Sequence, residues 1–185
     1  MKPRITILVG AYGSGKTEVA LNYALRLKEQ GETVGLVDLD IVNPFFRSRE
    51  LKEVLQKNGI TLVSSGDGLE EADLPALSPR IFSLLQAETP VIFDVGGDPV
   101  GARALGRFYE YFSRENYRLW LVFNPYRPGC SRPEDAARLA AELEHASKLR
   151  INGIVDNSNL GEETSLTLRR AGASLVDAVS RRLSV

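Results

Sequence analysis

The sequence predicts a three-layer α/β/α sandwich on a mostly parallel sheet, and three observations predict it. Apolar runs of strand length alternate with amphipathic segments of helix length along the whole chain. Those runs are continuous rather than alternating, as expected of strands buried on both faces. The chain has 185 residues, 43% hydrophobic and 25% charged, which suits one domain with one core. Strands separated by helices are joined by crossovers, the connection that parallel sheets require. No internal repeat, low-complexity tract or linker divides residues 1–185, so they are read as a single domain.

The elements follow in order. Residues 5–9 form a buried strand that stops at Gly10. Residues 15–30 form a helix, with Val19, Ala20, Tyr23, Ala24 and Leu27 at three-to-four spacing and Gly31 as its stop. A strand at 33–38 precedes a helix at 47–57, which ends at Asn58-Gly59, and 60–63 is a short strand. Turn-forming Asp, Gly and Pro residues make 65–79 an ordered loop. Helix 79–88, strand 91–94, helix 100–115 and strand 119–123 follow. Ser131-Arg132-Pro133-Glu134 reads as an N-cap with Pro in the first turn, opening a helix at 133–148. Strand 151–155 and helix 162–183 complete the chain.

Composition excludes several function classes. Lys+Arg 23 against Asp+Glu 24 gives a net charge of −1, with no basic excess to bind nucleic acid by bulk electrostatics. No apolar run approaches the ~18 residues of a membrane span. Met1-Lys2-Pro3-Arg4 runs straight into a strand without a signal-peptide core, so a cytoplasmic location is expected. A single cysteine, Cys130, allows no intrachain disulfide, and with a single histidine, His145, it supports no zinc cluster.

The most specific motif is Gly10-Ala11-Tyr12-Gly13-Ser14-Gly15-Lys16-Thr17, which is G-x-x-x-x-G-K-[ST], the P-loop. A loop that wraps a phosphate must turn successive backbone N–H groups inward. Glycines at 10, 13 and 15 permit the positive φ this needs and keep Cβ atoms clear of the anion. The following helix adds the positive end of its dipole. Expected nucleotide contacts are Gly10, Gly13, Ser14, Gly15, Lys16, Thr17 and Glu18. Lys16 reaches the β/γ-phosphates as a catalytic cation and the Thr17 hydroxyl ligates Mg²⁺. The fold is thereby narrowed to the P-loop NTPase arrangement.

Carboxylates stand at two strand ends. Asp94 follows an apolar strand in the Walker B manner and is expected to hold Mg²⁺. Asp38 and Asp40 end the second strand, Asp38 near the metal and Asp40 orienting the attacking water. In Asp94-Val95-Gly96-Gly97, a D-x-x-G pattern, Gly96 and Gly97 are the expected γ-phosphate switch. The other reading of all three aspartates is that they start turns or cap helices. Asn43-Pro44-Phe45-Phe46-Arg47-Ser48-Arg49 follows the acidic pair and is read chiefly as a capped, solvated helix start, with a catalytic arginine as the alternative.

In order and spacing, the P-loop, Asp38-Leu39-Asp40, Asp94-Val95-Gly96-Gly97 and Gly153-Ile154-Val155-Asp156-Asn157 together resemble the MinD/ParA/CobQ-type ATPases of the SIMIBI class of P-loop NTPases. The resemblance implies a parallel sheet with the P-loop strand beside the Asp94 strand. It also implies Mg²⁺-dependent ATP hydrolysis, often in nucleotide-sandwiched dimers, so a homodimer is admitted. Asp40 matches the family's catalytic Asp, Asp38 its metal-side Asp, and Asn157 the Asn that hydrogen-bonds adenine. Two positions depart from the pattern. Ala11 replaces the signature lysine of the deviant P-loop, and Tyr12 replaces the glycine after it. The loop is therefore similar to the ordinary G-x-x-G-x-G-K-T of the UreG- and CobW-type metallochaperone GTPases. Those read guanine through Asn-Lys-x-Asp, whereas the nearest segments here are Val-Asp-Asn-Ser-Asn and Phe-Asn-Pro-Tyr-Arg. ATP is expected in preference to GTP.

Asn124-Pro125-Tyr126-Arg127-Pro128-Gly129 reads as a Pro-ordered loop on the active edge, the alternative being a contact to base, ribose or substrate. Gly66-Asp67-Gly68 with Glu70, Glu71 and Asp73 reads as a solvated turn rather than a second-substrate lip. Cys130 reads as small filler and His145 as a solvated helix residue. The last helix is expected to pack on the sheet rather than bind membrane. Relatives by resemblance would continue beyond it into another strand, whereas Ser184-Val185 alone follow it here. Either the sheet is expected to end one strand early, or the chain is shortened there. The expected function is a Mg²⁺-dependent ATPase whose segments near 40–49 and 94–103 switch with the nucleotide and regulate an unknown protein or small-molecule partner. The alternatives are an ATP-dependent small-molecule kinase or ligase using loops 65–79 and 124–130, a metallochaperone-type GTPase, and a nucleotide-binding scaffold without turnover.

Overall fold

A computed structural model describes residues 3–40, 49–64, 78–114 and 116–185. Six strands form one sheet: β1 (Ile5–Val9), β2 (Val34–Leu39), β3 (Ile60–Ser64), β4 (Val91–Val95), β5 (Tyr117–Phe123) and β6 (Gly153–Asp156). Their order is β3-β2-β4-β1-β5-β6, and every pair is parallel. The P-loop strand β1 thus lies beside β4, as the family resemblance implies. The helices are α1 (Lys16–Glu29), α2 (Arg49–Lys57), α3 (Arg80–Gln86), α4 (Pro99–Ala104), α5 (Tyr109–Arg114), α6 (Pro133–Ser147) and α7 (Leu166–Leu183).

Strand parity sorts the side chains into two cores. Ile5, Ile7 and Val9 of β1, with Val91, Phe93 and Val95 of β4 and Leu119, Leu121 and Phe123 of β5, pack with residues of α3 to α7. Leu8, Leu36, Ile92 and Val122 face the opposite way, onto Ala20 and Ala24 of α1 and Leu55 of α2. The first core is anchored by aromatics, with Phe93 5.7 Å from Phe108 and edge-on to Phe112 at 5.6 Å, a favoured ring geometry. Val176 and Val179 of α7 join this core. Among the described residues no helix is long and apolar enough to cross a membrane.

Several boundaries differ from the periodicity reading. The single helix expected over 100–115 is α4, a 3₁₀ turn Leu105–Phe108, and α5. Leu105 and Phe108 are both fully buried, and the three-residue turn places i and i+3 on the same side, which a 3.6-residue turn does less well. The helix expected from 162 begins at Leu166, because the Ser165 side chain accepts from the Leu168 amide at 3.2 Å and caps it there. Ser131 is not the cap of α6. Pro133 at the first helical position holds the residue before it extended, so Arg132 takes the cap position with no side-chain cap bond. Asp135 orders that turn instead, accepting from Arg132 Nε at 3.0 Å and Arg138 at 3.0 Å. The expected loop over 65–77, with its acidic residues, and the segment 41–48 lie outside the described residues. So do the side chain of Arg49 and the first residues expected of helix 47–57.

Candidate functional site

β1 runs into the sheet's carboxyl edge and the chain turns over itself at Gly10 before entering α1. The turn depends on missing side chains. A methyl group built on Gly10, at φ +151°, would stand 2.3 Å from the Val122 carbonyl oxygen. One built on Gly15, at φ +90°, would stand 2.2 Å from Asn157 Nδ2. Gly15 is also the N-cap of α1 and contributes no side-chain cap bond, so the first-turn amides of α1 are not taken up by a capping side chain.

Lys16, 7% exposed, is folded into this loop. Its ammonium donates to Gly10 O at 3.3 Å and Ala11 O at 3.1 Å. Burial pushes its pKa down, and Asp94, Asp40 and Asp98 act against that by favouring the charge. Thr17, the next residue, donates its hydroxyl to Asp94 Oδ2 at 2.6 Å. Register explains why Asp94 is there. Asp38 and Asp94 are paired across β2 and β4, and both occupy the strand parity that faces α1. Asp94 is 2% and Asp38 1% exposed. Burial raises the Asp94 pKa to about 6, against the opposing pull of the Thr17 hydrogen bond and the Lys16 charge. Asp38 Oδ1 accepts from the Asp40 amide at 2.9 Å, fixing the turn after β2. The Asp40 carboxylate is thereby brought beside Gly96, 3.6 Å from where a Gly96 methyl would be.

The D-x-x-G segment meets the P-loop directly. A methyl on Gly97 would stand 2.7 Å from the Tyr12 amide nitrogen. Asp98 caps α4, its carboxylate accepting from Gly101 N at 2.7 Å. On the other flank, Asn157 donates from Nδ2 to Ser14 O at 2.7 Å, so this asparagine buttresses the P-loop. Glu18 is exposed on the first turn of α1. Cys130 is buried, and burial with the nearby Asp135 raises its thiol pKa, which favours the less nucleophilic thiol form. His145 is exposed, as expected.

The structure therefore brings together Lys16, Thr17, Asp38, Asp40, Asp94, Gly96, Gly97 and Asn157 around one loop. Sequence reasoning missed two residues at this site. One is Asp98, whose position four residues after Asp94 and just before Pro99 is a helix-cap pattern that could have been read. The other is Arg127, whose guanidinium lies 3.4 Å from the methyl position of Gly13. The sequence drew notice to that arginine's segment but not to the arginine.

The site suits a nucleotide phosphate and a hard cation. Ser14 Oγ is buried without a hydrogen-bond partner among the described residues, inside the loop's turn. The Thr17–Asp94 pair offers only oxygen, the preference of Mg²⁺. No group of three or more His, Cys, Asp or Glu assembles among the described residues.

Comparison with known proteins bears on the fold. No family model matches the sequence. The signal recognition particle 54 kDa protein of Pyrobaculum calidifontis is 31% identical over 96 residues, which is 52% of this chain and only 21% of the relative's own length. FtsY from Mycoplasma mycoides superposes with a TM-score of 0.62 at 16% identity, covering 98% of this chain and 57% of that one. A nucleotide-binding protein from Archaeoglobus fulgidus, in complex with ADP, gives 0.54 at 19%, covering 98% and 79%. FtsY from Elizabethkingia anophelis, in complex with GDP, gives 0.51 at 19%, covering 83% and 48%. The structural likenesses show the P-loop NTPase fold. Together with the sequence relatives they support the SIMIBI class at the level of class.

Proposed function

We propose that the chain is a Mg²⁺-dependent ATPase that binds ATP at Gly10–Thr17 and passes its nucleotide state to a partner through residues 94–98. The observation that carries this reading is the constellation of buried Lys16 and Asp94 with Thr17 bonded to Asp94. Loop amides and Lys16 bind the phosphate chain, and Thr17 and Asp94 would hold Mg²⁺, which supplies charge neutralisation when bound. Phosphoryl transfer asks little covalent chemistry of a protein, so positioning and electrostatics carry the rate. Asp40 stands just past the end of β2 and close to the loop, and its role is to orient the attacking water. Gly97 lies against the Tyr12 backbone, so a γ-phosphate in the loop and the start of α4 share one contact. The partner is a protein or a small molecule, and a second copy of the chain is one candidate.

Adenine is favoured by the chemistry of Asn157. With one Nδ2 hydrogen on Ser14 O, the amide retains one donor and its carbonyl oxygen. That pair matches N7 and the 6-amino group of adenine, the pattern asparagine uses for this base. Guanine presents an oxygen where the amino group would be. The second reading is a GTPase, to which the GDP-bound neighbour lends weight. Calorimetric titration with non-hydrolysable ATP and GTP analogues, with Mg²⁺, on wild type and Lys16→Ala tests both. ATP is expected to bind more tightly than GTP, and Lys16→Ala to lose binding. Asp40→Ala is expected to bind ATP and fail to hydrolyse it. Tight ATP binding by a folded Lys16→Ala protein sinks the site assignment, and tighter GTP binding by wild type selects the second reading. Turnover that waits for an added metabolite selects a kinase or ligase, and binding with no turnover at all selects a scaffold.

A further inference from the structure

We propose that Arg127 is a second phosphate-contacting cation of the nucleotide site, acting in cis from the loop after β5. This rests on the reading of Gly10–Thr17 as a nucleotide site. The first support is placement. The Arg127 guanidinium lies 3.4 to 3.7 Å from the methyl position of Gly13, on the P-loop's outer rim. The Lys16 ammonium is on the inner side of the same loop, bonded to Gly10 O and Ala11 O. Two cations thus bracket one short run of backbone amides.

The second support is that the loop is built to hold the arginine there. Asn124, 2% exposed, commits both polar atoms of its side chain to ordering the loop. Its Oδ1 accepts from the Tyr126 amide at 3.1 Å and its Nδ2 donates to Asn159 O at 2.8 Å. The Arg127 amide donates to Asn124 O at 3.1 Å, and the Cys130 amide donates to Arg127 O at 3.0 Å. The Tyr126 hydroxyl donates to Leu168 O on α7. Prolines on either side, at 125 and 128, further restrict the backbone. The Arg127 backbone is therefore fixed, while its side chain is exposed.

The third support is charge. Arg127 makes no ion pair with a carboxylate of the described residues. Arg132, five residues on, is committed to Asp135 at 3.0 Å, and Arg138 to the same carboxylate. A guanidinium left without a counter-ion beside an anion-binding turn offers its planar fork to a phosphate. The ligand class is accordingly a nucleoside di- or triphosphate, recognised through its phosphate chain rather than its base.

The test measures ADP, GDP and inorganic pyrophosphate on wild type, Arg127→Ala, Arg127→Lys and Lys16→Ala, with pyrophosphate read by competition against a fluorescent nucleotide. Charge-assisted hydrogen bonds of this kind correspond to about tenfold to hundredfold in affinity. Arg127→Ala is expected to weaken every phosphate ligand by that factor while thermal unfolding is unchanged, as befits an exposed side chain. Arg127→Lys is expected to recover part of the loss, and Lys16→Ala to lose binding outright. Unchanged ADP, GDP and pyrophosphate affinities in Arg127→Ala overturn the proposal while leaving the nucleotide site intact. A loss for nucleotides but not for pyrophosphate also overturns it, since the contact would then be to base or ribose. Wild type that binds none of the three ligands overturns the nucleotide-site reading itself, and this inference with it.

Discussion

Replacing Asp94 by asparagine should stabilise the nucleotide-free protein and cripple it as a Mg²⁺ binder. The carboxylate is 2% exposed, and its pKa is raised from 3.8 to about 6. Burial disfavours the charge more than the Thr17 hydroxyl and the Lys16 ammonium favour it. An unfolded chain releases this proton near the ordinary value. Between the two pKa values the native state therefore holds a proton that the unfolded state has lost, and stability falls as pH rises through that window. Above it the loss is complete, at about 3 kcal/mol for a shift of about two units. Asparagine is isosteric, neutral at every pH, and keeps an oxygen to accept from Thr17. Urea denaturation in chelator, without nucleotide, should show variant and wild type equally stable below about pH 4. The variant should lead by up to about 3 kcal/mol at pH 8. Titrating groups that do not interact with residue 94 cancel in the difference between the two curves, whereas Lys16, whose charge Asp94 favours, does not. With Mg²⁺ and nucleotide present the order should reverse, because the wild-type carboxylate then faces a cation. A variant with no advantage at pH 8, or the same advantage at pH 4, would refute the claim that a buried charge is tolerated here for function.

Gly97→Ala puts a methyl 2.7 Å from the Tyr12 nitrogen, against backbone that cannot step aside. It should cost about 1–3 kcal/mol in thermal or urea unfolding and weaken nucleotide binding. Gly96→Ala, whose methyl meets its nearest atoms at 3.6 Å, should be nearly neutral in the same assays. Gly172→Ala places a methyl 2.1 Å from Ser158 Oγ, where α7 crosses the end of β6. It should destabilise by a similar amount, and adding Ser158→Gly should recover most of the loss in denaturation midpoint.

What could be read from the sequence was what local chemistry controls. Continuous apolar runs mark strands buried on both faces. Glycine spacing in 10–15 matches the phosphate-loop pattern, and strand parity carries Asp94 to the face opposite Phe93. What periodicity could not supply is which strands become neighbours, of which the family resemblance implies only the β1–β4 pairing. The sheet order β3-β2-β4-β1-β5-β6 puts β1 between β4 and β5, strands some 80 to 110 residues away in the chain. No short-range rule encodes that pairing. Ligands of such sheets bind outside the carboxyl ends, where connections leave in opposite directions. Because the P-loop follows a central strand, residues ending β2, β4, β5 and β6 all reach it. The loop after β5 was legible as a proline-braced turn, but its periodicity says nothing about which side chain meets Gly13. That depends on Asn124 being consumed by Asn159 across the gap to β6, which leaves Arg127 as the cation presented to the loop. Asn157 shows the same dependence in reverse. Its type and place were readable, whereas its bond to Ser14, 143 residues away in the chain, arises only once β1, β5 and β6 lie side by side. The candidate site is thus a property of sheet order more than of any one motif, and the motif marks only the loop around which it is arranged.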